Sequence, residues 1–157
     1  MNKFVSDEDF DLWLLILQAR RAMLKARRRE LAEYKLSPRH SVVLFAIKLL
    51  GEKATPAEIS MILLREPHSV SEILIKMEQE GLVRKSNDLP RKNQVRLELT
   101  DKGHEAYSQA AKRESVHKIM SSLSKEQYKQ LKSILKILRD AALKEVGEKR
   151  ELLFPLL

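Results

Sequence analysis

The sequence predicts a mainly α-helical fold carrying one small β-hairpin, and three observations predict it. Gly (4) and Pro (5) are few among 157 residues, so long loops are few and helix should dominate. Two short helical signals stand in tandem between Thr55 and Gly81. Two strand-like runs follow at once, Leu82-Val83-Arg84-Lys85 and Gln94-Val95-Arg96-Leu97-Glu98-Leu99, joined by Asn87-Asp88-Leu89-Pro90-Arg91-Lys92-Asn93. Helix, helix, basic hairpin is the order of a winged helix-turn-helix. The predicted architecture is therefore a winged helix-turn-helix head over 37–100, carried on a helical dimerisation region formed by 1–36 and 101–157.

Each element has its own signal. The first helix should run from about Asp7 to Tyr34, with Ser6 as cap and Asp7, Glu8, Asp9 and Asp11 at the positive end of the helix dipole. Its second half is cationic, through Arg20, Arg21, Lys25, Arg27, Arg28, Arg29 and Lys35 against Glu30 and Glu33. Ser37-Pro38 opens a second helix, since Pro suits the first helical position; Val42, Val43, Ala46, Ile47 and Leu50 stripe it and Gly51 ends it. Thr55 and Glu58 have capping-box spacing around Pro56, for a third helix to about Leu64. A fourth begins at Pro67 and ends at Glu80, with Gly81 as its cap. Thr100-Asp101-Lys102-Gly103 opens a fifth, expected to continue to about Met120. Ser124 and Gln127 form a second capping box for a sixth, with Leu131, Ile134, Leu135, Leu138 and Ala142 at helical spacing. The apolar tail Leu152-Leu153-Phe154-Pro155-Leu156-Leu157 is expected to pack on the body or on a partner chain.

Composition narrows the function. The net charge is +8, so a two-fold dimer carries twice that; such a balance favours a polyanionic partner without choosing among DNA, RNA and anionic membrane. The absence of cysteine excludes disulfides, thiolate metal sites and cysteine redox switching. The N-terminus opens acidic, without the pattern of a secretory signal. Its apolar run, Leu12 to Leu17, is far short of the roughly 20 residues that span a bilayer. The expected location is the cytoplasm, with no membrane partner.

Residue patterns then locate a nucleic-acid interface. Val70, Ile73, Leu74 and Met77 fall at i, i+3, i+4 and i+7, which makes them the core face of the fourth helix. The opposite face carries His68, Glu72, Ile75 and Gln79, flanked by Ser69, Ser71 and Lys76. These are the short or polar groups that a recognition helix presents to base edges. Ile75 is a large aliphatic on the wet face; contact with a thymine methyl explains it, and so does packing under the wing or against a second copy. Glu72 can accept from a cytosine amino group, although a lone Glu on such a helix more often orients a neighbouring Arg or Lys or simply deters wrong sequences. In the hairpin, Arg84, Lys85, Arg91, Lys92 and Arg96 outnumber Asp88 and Glu98, with Arg91, Lys92 and Asn93 at the turn. A thin loop bearing Arg can enter the narrow, electronegative minor groove, although a charged turn is more often merely solvated.

At these residues the chain resembles the MarR family (multiple antibiotic resistance regulators). The matching segments are Ala57-Glu58-Ile59-Ser60, Ser69-Val70-Ser71 through Gly81-Leu82-Val83, and Val95-Arg96-Leu97-Glu98-Leu99-Thr100-Asp101-Lys102-Gly103. The last has the form V-x-L-x-L-T-x-x-G, a fairly specific mark when it follows a helix-turn-helix. With the helix order, the resemblance covers nearly the whole chain. It implies an obligate homodimer built from the first, fifth and sixth helices and two winged heads reading a pseudo-palindrome in double-stranded DNA. It also implies repression of nearby genes and, for many members, release by a small, often phenolic, effector. The family wing usually carries an acidic residue followed by Arg near its tip; here the acidic position falls at Arg91 and the basic pair at Lys92 and Asn93. Arg91 and Lys92 are the residues expected in the minor groove. Family pockets lie near the first, second and fifth helices, where Trp13, Leu17, Arg20, His40, Val43 and Phe45 are the candidates, although such residues at helical spacing are more often plain core.

Other chemistry finds little support. His40, His68, His104 and His117 lack a close metal-binding spacing, and no glycine-rich phosphate loop occurs. No catalytic residue, metal or cofactor is expected. The second reading is a basic adaptor whose cationic first helix binds an acidic protein or membrane surface. An adaptor has no use for Arg91 and Lys92 at a hairpin tip.

Overall fold

The computed structural model describes residues 7–86 and 95–148. Among them the order is α1 (Glu8–Ala32), α2 (Pro38–Leu50), a 3₁₀ turn (Gly51–Lys53), α3 (Pro56–Leu63), α4 (Pro67–Gln79), β1 (Val83–Ser86), β2 (Arg96–Leu99), α5 (Asp101–Ala110), α6 (Glu114–Met120) and α7 (Lys125–Glu145). This is the mainly helical fold with a two-stranded wing that the sequence predicts. Ser6, the wing residues Asn87 to Gln94 and the apolar tail lie outside the described residues.

Caps set most boundaries where the sequence places them. The Ser37 hydroxyl accepts from His40 N–H at 3.1 Å and that of Thr55 from Glu58 N–H at 3.3 Å. The Ser124–Gln127 capping box is complete. Helix α4 ends in a Schellman turn: Gly81 takes φ 73°, its N–H donates to Glu78 and that of Leu82 donates to Met77. At the start of α1 the cap is Asp7 rather than Ser6, its carboxylate accepting from the amides of Asp9 and Phe10.

The helix expected over 100–120 is two helices. They part at Arg113, whose φ of 51° and ψ of 35° lie in the left-handed region, a conformation that costs an L side chain roughly 1–2 kcal/mol. No glycine or proline stands there to announce the break, so helical spacing carries a sequence reading straight through it.

The core belongs to the head. Val43, Leu44 and Ile47 of α2, Ile59 of α3, Val70, Leu74 and Met77 of α4, and Val83, Leu97 and Leu99 of the hairpin are buried together. The strands pair antiparallel in the register Val83↔Leu99, Arg84↔Glu98, Lys85↔Leu97 and Ser86↔Arg96. Leu97 N–H also donates to the Ala54 carbonyl at 2.7 Å, so the segment before α3 serves as a third edge to the wing.

Thr100 and Gly103 bind the wing to α5. The Thr100 hydroxyl accepts from Gly103 N–H at 3.0 Å and donates to the Gly81 carbonyl at 2.6 Å. Lys102 Nζ donates to the Glu80 carbonyl at 2.7 Å, a cation on the negative end of α4. A Cβ at Gly103 would lie 2.0 Å from the Leu82 carbonyl oxygen, so only glycine admits this approach. Gly103→Ala is expected to cost about 2–3 kcal/mol, the upper part of the range for overpacking because the obstacle is backbone. The urea midpoint should fall accordingly, and an unchanged midpoint would contradict the fit.

The flanking helices are different. On α1 only Leu31 is buried, and on α7 no residue is. Phe10, Leu12, Trp13, Leu14, Leu15 and Leu17 are exposed on α1, as are Leu131, Ile134, Leu135, Ile137 and Leu138 on α7. Among the described residues nothing covers this apolar surface, which is the mark of an interaction face.

Candidate nucleic-acid interface

Helix α4 presents two faces. Val70, Leu74 and Met77 are buried and anchor it on α2 and α3, while His68, Ser71, Glu72, Ile75, Lys76 and Gln79 are exposed and Ser69 is half-buried. Pro67 occupies the first helical position, and the N-cap Glu66 makes no side-chain cap bond, so the first-turn amides can meet an anion. His68 Nε2 lies 3.2 Å from Glu72 Oε1, both side chains exposed. The Ser71 hydroxyl donates to the Pro67 carbonyl at 3.0 Å. Ile75 is 50% exposed.

The described part of the wing is less free than its composition suggests. Glu98 stands between two arginines: Arg84 Nε donates to Oε2 at 2.8 Å, and Arg96 reaches Oε1 at 2.5 Å. Lys85 Nζ lies 2.9 Å from Glu78 Oε2, joining the first strand to α4. Arg84 and Lys85 are exposed, and surface pairs of this kind are worth about 0–1 kcal/mol, so either cation can exchange its carboxylate for a phosphate at small cost. The Arg96 side chain is only 17% exposed, and its pairing with Glu98 braces the root of the wing. Arg91, Lys92 and Asn93 lie outside the described residues.

The residues expected to line a ligand pocket are not gathered by the single chain. Trp13, Leu17 and Arg20 lie exposed on α1. His40 and Val43 are buried in the head, and Phe45 is half-buried with the Arg113 guanidinium 5.4 Å from its ring centre. Burial pushes the His40 imidazole below its ordinary pKa; Glu80 opposes this and Lys76 adds to it. Its Nδ1 lies 3.6 Å from Glu80 Oε2. An open cavity of about 350 Å³ lies elsewhere, at the root of the wing, between Lys48 and Glu52 on one side and Arg84, Leu97 and His104 on the other. Among the described residues no cluster of His, Asp or Glu is arranged to hold a metal, and no helix is long and apolar enough to cross a membrane.

Sequence reading missed three ties that hold this interface: Lys85 to Glu78, Lys102 to the end of α4, and Leu97 to Ala54. Each joins residues brought close only by the folded hairpin, and none leaves a periodic trace.

A family model described as a winged helix DNA-binding domain matches residues 36–103. No curated protein matches the sequence. Among solved structures, the organohalide-sensing transcriptional regulator RdhR, in its 2,4-dichlorophenol-bound form, is 30% identical with a TM-score of 0.89, covering 100% of this chain and 95% of its own. A cysteine-to-serine mutant of MarR from E. coli, complexed with operator DNA, shares the fold at 19% identity and a TM-score of 0.77, covering 85% of this chain and 99% of its own. AbsC from Streptomyces coelicolor, a MarR family transcriptional regulator, shares it at 18% and 0.79, over 90% and 98%. The wing, the two-faced α4 and a 30% identical regulator aligned over the whole chain lead to one conclusion: the chain belongs to the MarR family of winged-helix, DNA-binding transcriptional regulators.

Proposed function

We propose that this regulator is a homodimeric repressor that reads a pseudo-palindromic operator in the cytoplasm and is released by a small aromatic effector. The observation that carries the DNA reading is α4, whose buried face is fixed in the head while a polar face with one exposed isoleucine is left to solvent. Residues 37–100 form the reading head. The segments 1–36 and 101–157 form the dimer, supported by the unpartnered apolar surfaces of α1 and α7.

Within the head the labour divides. Phosphate contacts from the helix amides and the wing cations Arg84, Lys85, Arg91 and Lys92, with Asn93 beside them, set affinity and its salt dependence. His68, Ser69, Ser71, Glu72, Ile75, Lys76 and Gln79 set sequence choice, Ile75 through a thymine methyl. Ile75→Ala is expected to lower operator affinity about tenfold, the order of two buried methylenes at about 0.8 kcal/mol each, while binding to random duplex stays within twofold. Ser71→Ala should change sequence preference in the same selective way and more weakly. Selection from a randomised duplex pool checks both; equal losses on operator and random DNA would contradict the division.

The effector reading is supported by RdhR, which is described as organohalide-sensing and was solved with 2,4-dichlorophenol. Trp13, Leu17 and Arg20 on the open part of α1 and Phe45 at the head are the side chains this chain has available for an aromatic ring and its oxygen. Titration of the protein–operator complex with chlorinated and unsubstituted phenols tests the reading, since release at micromolar concentration is the expected result.

A further inference from the structure

The break between α5 and α6 lies where the head meets the arms. Helix α5 packs on α2 and β2, whereas α6 packs on α1. Both broken ends are capped by one ion pair on α1. Arg27 Nη2 donates to the Ala110 carbonyl at 2.5 Å, at the C-terminus of α5. Glu30 Oε1 accepts from Glu114 N–H at 2.9 Å, and Oε2 accepts from Ser115 N–H at 3.2 Å and from the Ser115 hydroxyl, at the N-terminus of α6. Arg27 and Glu30 themselves lie 2.7 Å apart, each side chain 12% exposed.

The signs are those a helix end prefers. A cation sits on the carbonyl end of one helix and an anion on the amide end of the next. Burial raises the Glu30 carboxyl, but hydrogen bonds from Arg27 and Ser115 outweigh it and lower its pKa to about 2. The carboxylate therefore stays charged through the working pH range. Two further contacts flank the break: Lys112 Nζ lies 5.1 Å from the centre of the Tyr34 ring, and Arg113 lies over Phe45. Four helices thus meet at one polar joint.

We infer that Arg27 and Glu30 are positioning residues for operator recognition: by capping both sides of the break they fix the angle of the head on its arm, and so the separation of the two reading helices. The inference rests on the dimeric, DNA-reading function proposed above. An ion pair that merely stabilised the fold would work equally well with its charges exchanged. A double cap would not, because Arg27→Glu with Glu30→Arg places an anion on carbonyls and a cation on amides.

The chain has no cysteine, so Lys53→Cys, on the exposed turn after α2, supplies one labelling site per protomer. Spin-label distances across the dimer are measured in this background for the parent, for Glu30→Gln and for the exchanged pair. The same proteins are titrated on the duplex enriched by the parent from a randomised pool, and on versions with one base pair added or removed between half-sites. The expected result is a dimer of unchanged helical content, with a broadened or displaced distance distribution in the exchanged pair and a smaller change in Glu30→Gln. Affinity for the enriched duplex should fall at least tenfold and the preference for its spacing should flatten, with random-duplex affinity within twofold. Parent-like distances and spacing preference in the exchanged pair would overturn the inference. If the exchanged pair does not fold, Glu30→Gln decides by the same readouts. Failure of the parent to enrich any duplex would overturn the DNA reading instead, and the distances would still test the joint.

Discussion

Reversing the charge at the wing turn, with Arg91→Glu and Lys92→Glu together, is expected to weaken binding to operator and random duplex alike. A dimer loses four cations and gains four anions in the segment that joins β1 to β2. Each lost phosphate contact removes about 0.9 from the slope of log affinity against log salt, so the slope should shrink by about 4. Affinity near 0.1 M salt should fall by at least ~100-fold, since a few such contacts already account for that much of the salt-dependent term. Anisotropy titrations across a salt series measure both quantities. Arg96→Gln should act differently. Arg96 is half-buried against Glu98, so its loss leaves Glu98 Oε1 without its arginine while Arg84 keeps Oε2, and it lowers stability along with affinity. A wing reversal that left random-duplex binding intact would move the electrostatic contact elsewhere, and the cationic run from Arg20 to Arg29 on α1 would be the next place to test.

Replacing Leu131 and Leu138 by Glu is expected to convert the protein to a monomer and to remove operator binding with it. These residues are two helical turns apart on one face of α7, with Ile134 and Leu135 between them, and all are exposed in the single chain. Leu131 is 39% exposed and Leu138 42%, so covering what remains of each is worth roughly two-fifths of the 1.5–3 kcal/mol of a full leucine burial, and the double replacement deletes four such contacts per dimer. Four carboxylates would also be forced toward an apolar interface, each costly unless paired. Together these terms are expected to carry a micromolar dimer, held by ~8 kcal/mol, to the monomer at the concentrations of a light-scattering measurement. Light scattering reads the mass. The head should remain folded, because its core residues Val43, Leu44, Ile59, Val70, Leu74 and Leu97 are buried within the chain itself. A variant that stayed dimeric would place the interface on another surface.

Much of this arrangement was legible in the sequence because local rules fix it. Pro38, Pro56 and Pro67 mark helix starts, Gly51 and Gly81 mark ends, and the spacing of Val70, Leu74 and Met77 orients α4 so that His68, Glu72, Ile75 and Gln79 face out. The motif ending in Thr100 and Gly103 carried the family. Its structural reason, a hydroxyl bridging two caps and a helix pressed against a carbonyl, appears only in three dimensions. The break at Arg113 was hidden because its cause lies elsewhere in the chain: Arg27 and Glu30, on α1, satisfy the groups that the interrupted helix exposes. The ligand candidates were the least legible. Helical spacing gave Trp13, Leu17 and Val43 the same apolar signal, although the first two are open and Val43 is closed in the core. Charge counts likewise overstated the free cations of the wing, since Glu98 and Glu78 engage Arg84, Arg96 and Lys85 across the fold.

Sequence-specific recognition of duplex DNA by the dimer is the central claim, and fluorescence anisotropy tests it most directly. The purified protein is titrated onto labelled DNA from upstream of its own gene, with random duplex as competitor, across a salt series. Tight binding that survives excess competitor, at a stoichiometry of one dimer per site, is the predicted result. Weak binding, equal on both DNAs and lost as salt rises, would contradict it and would leave the positive charge to an acidic protein or membrane surface.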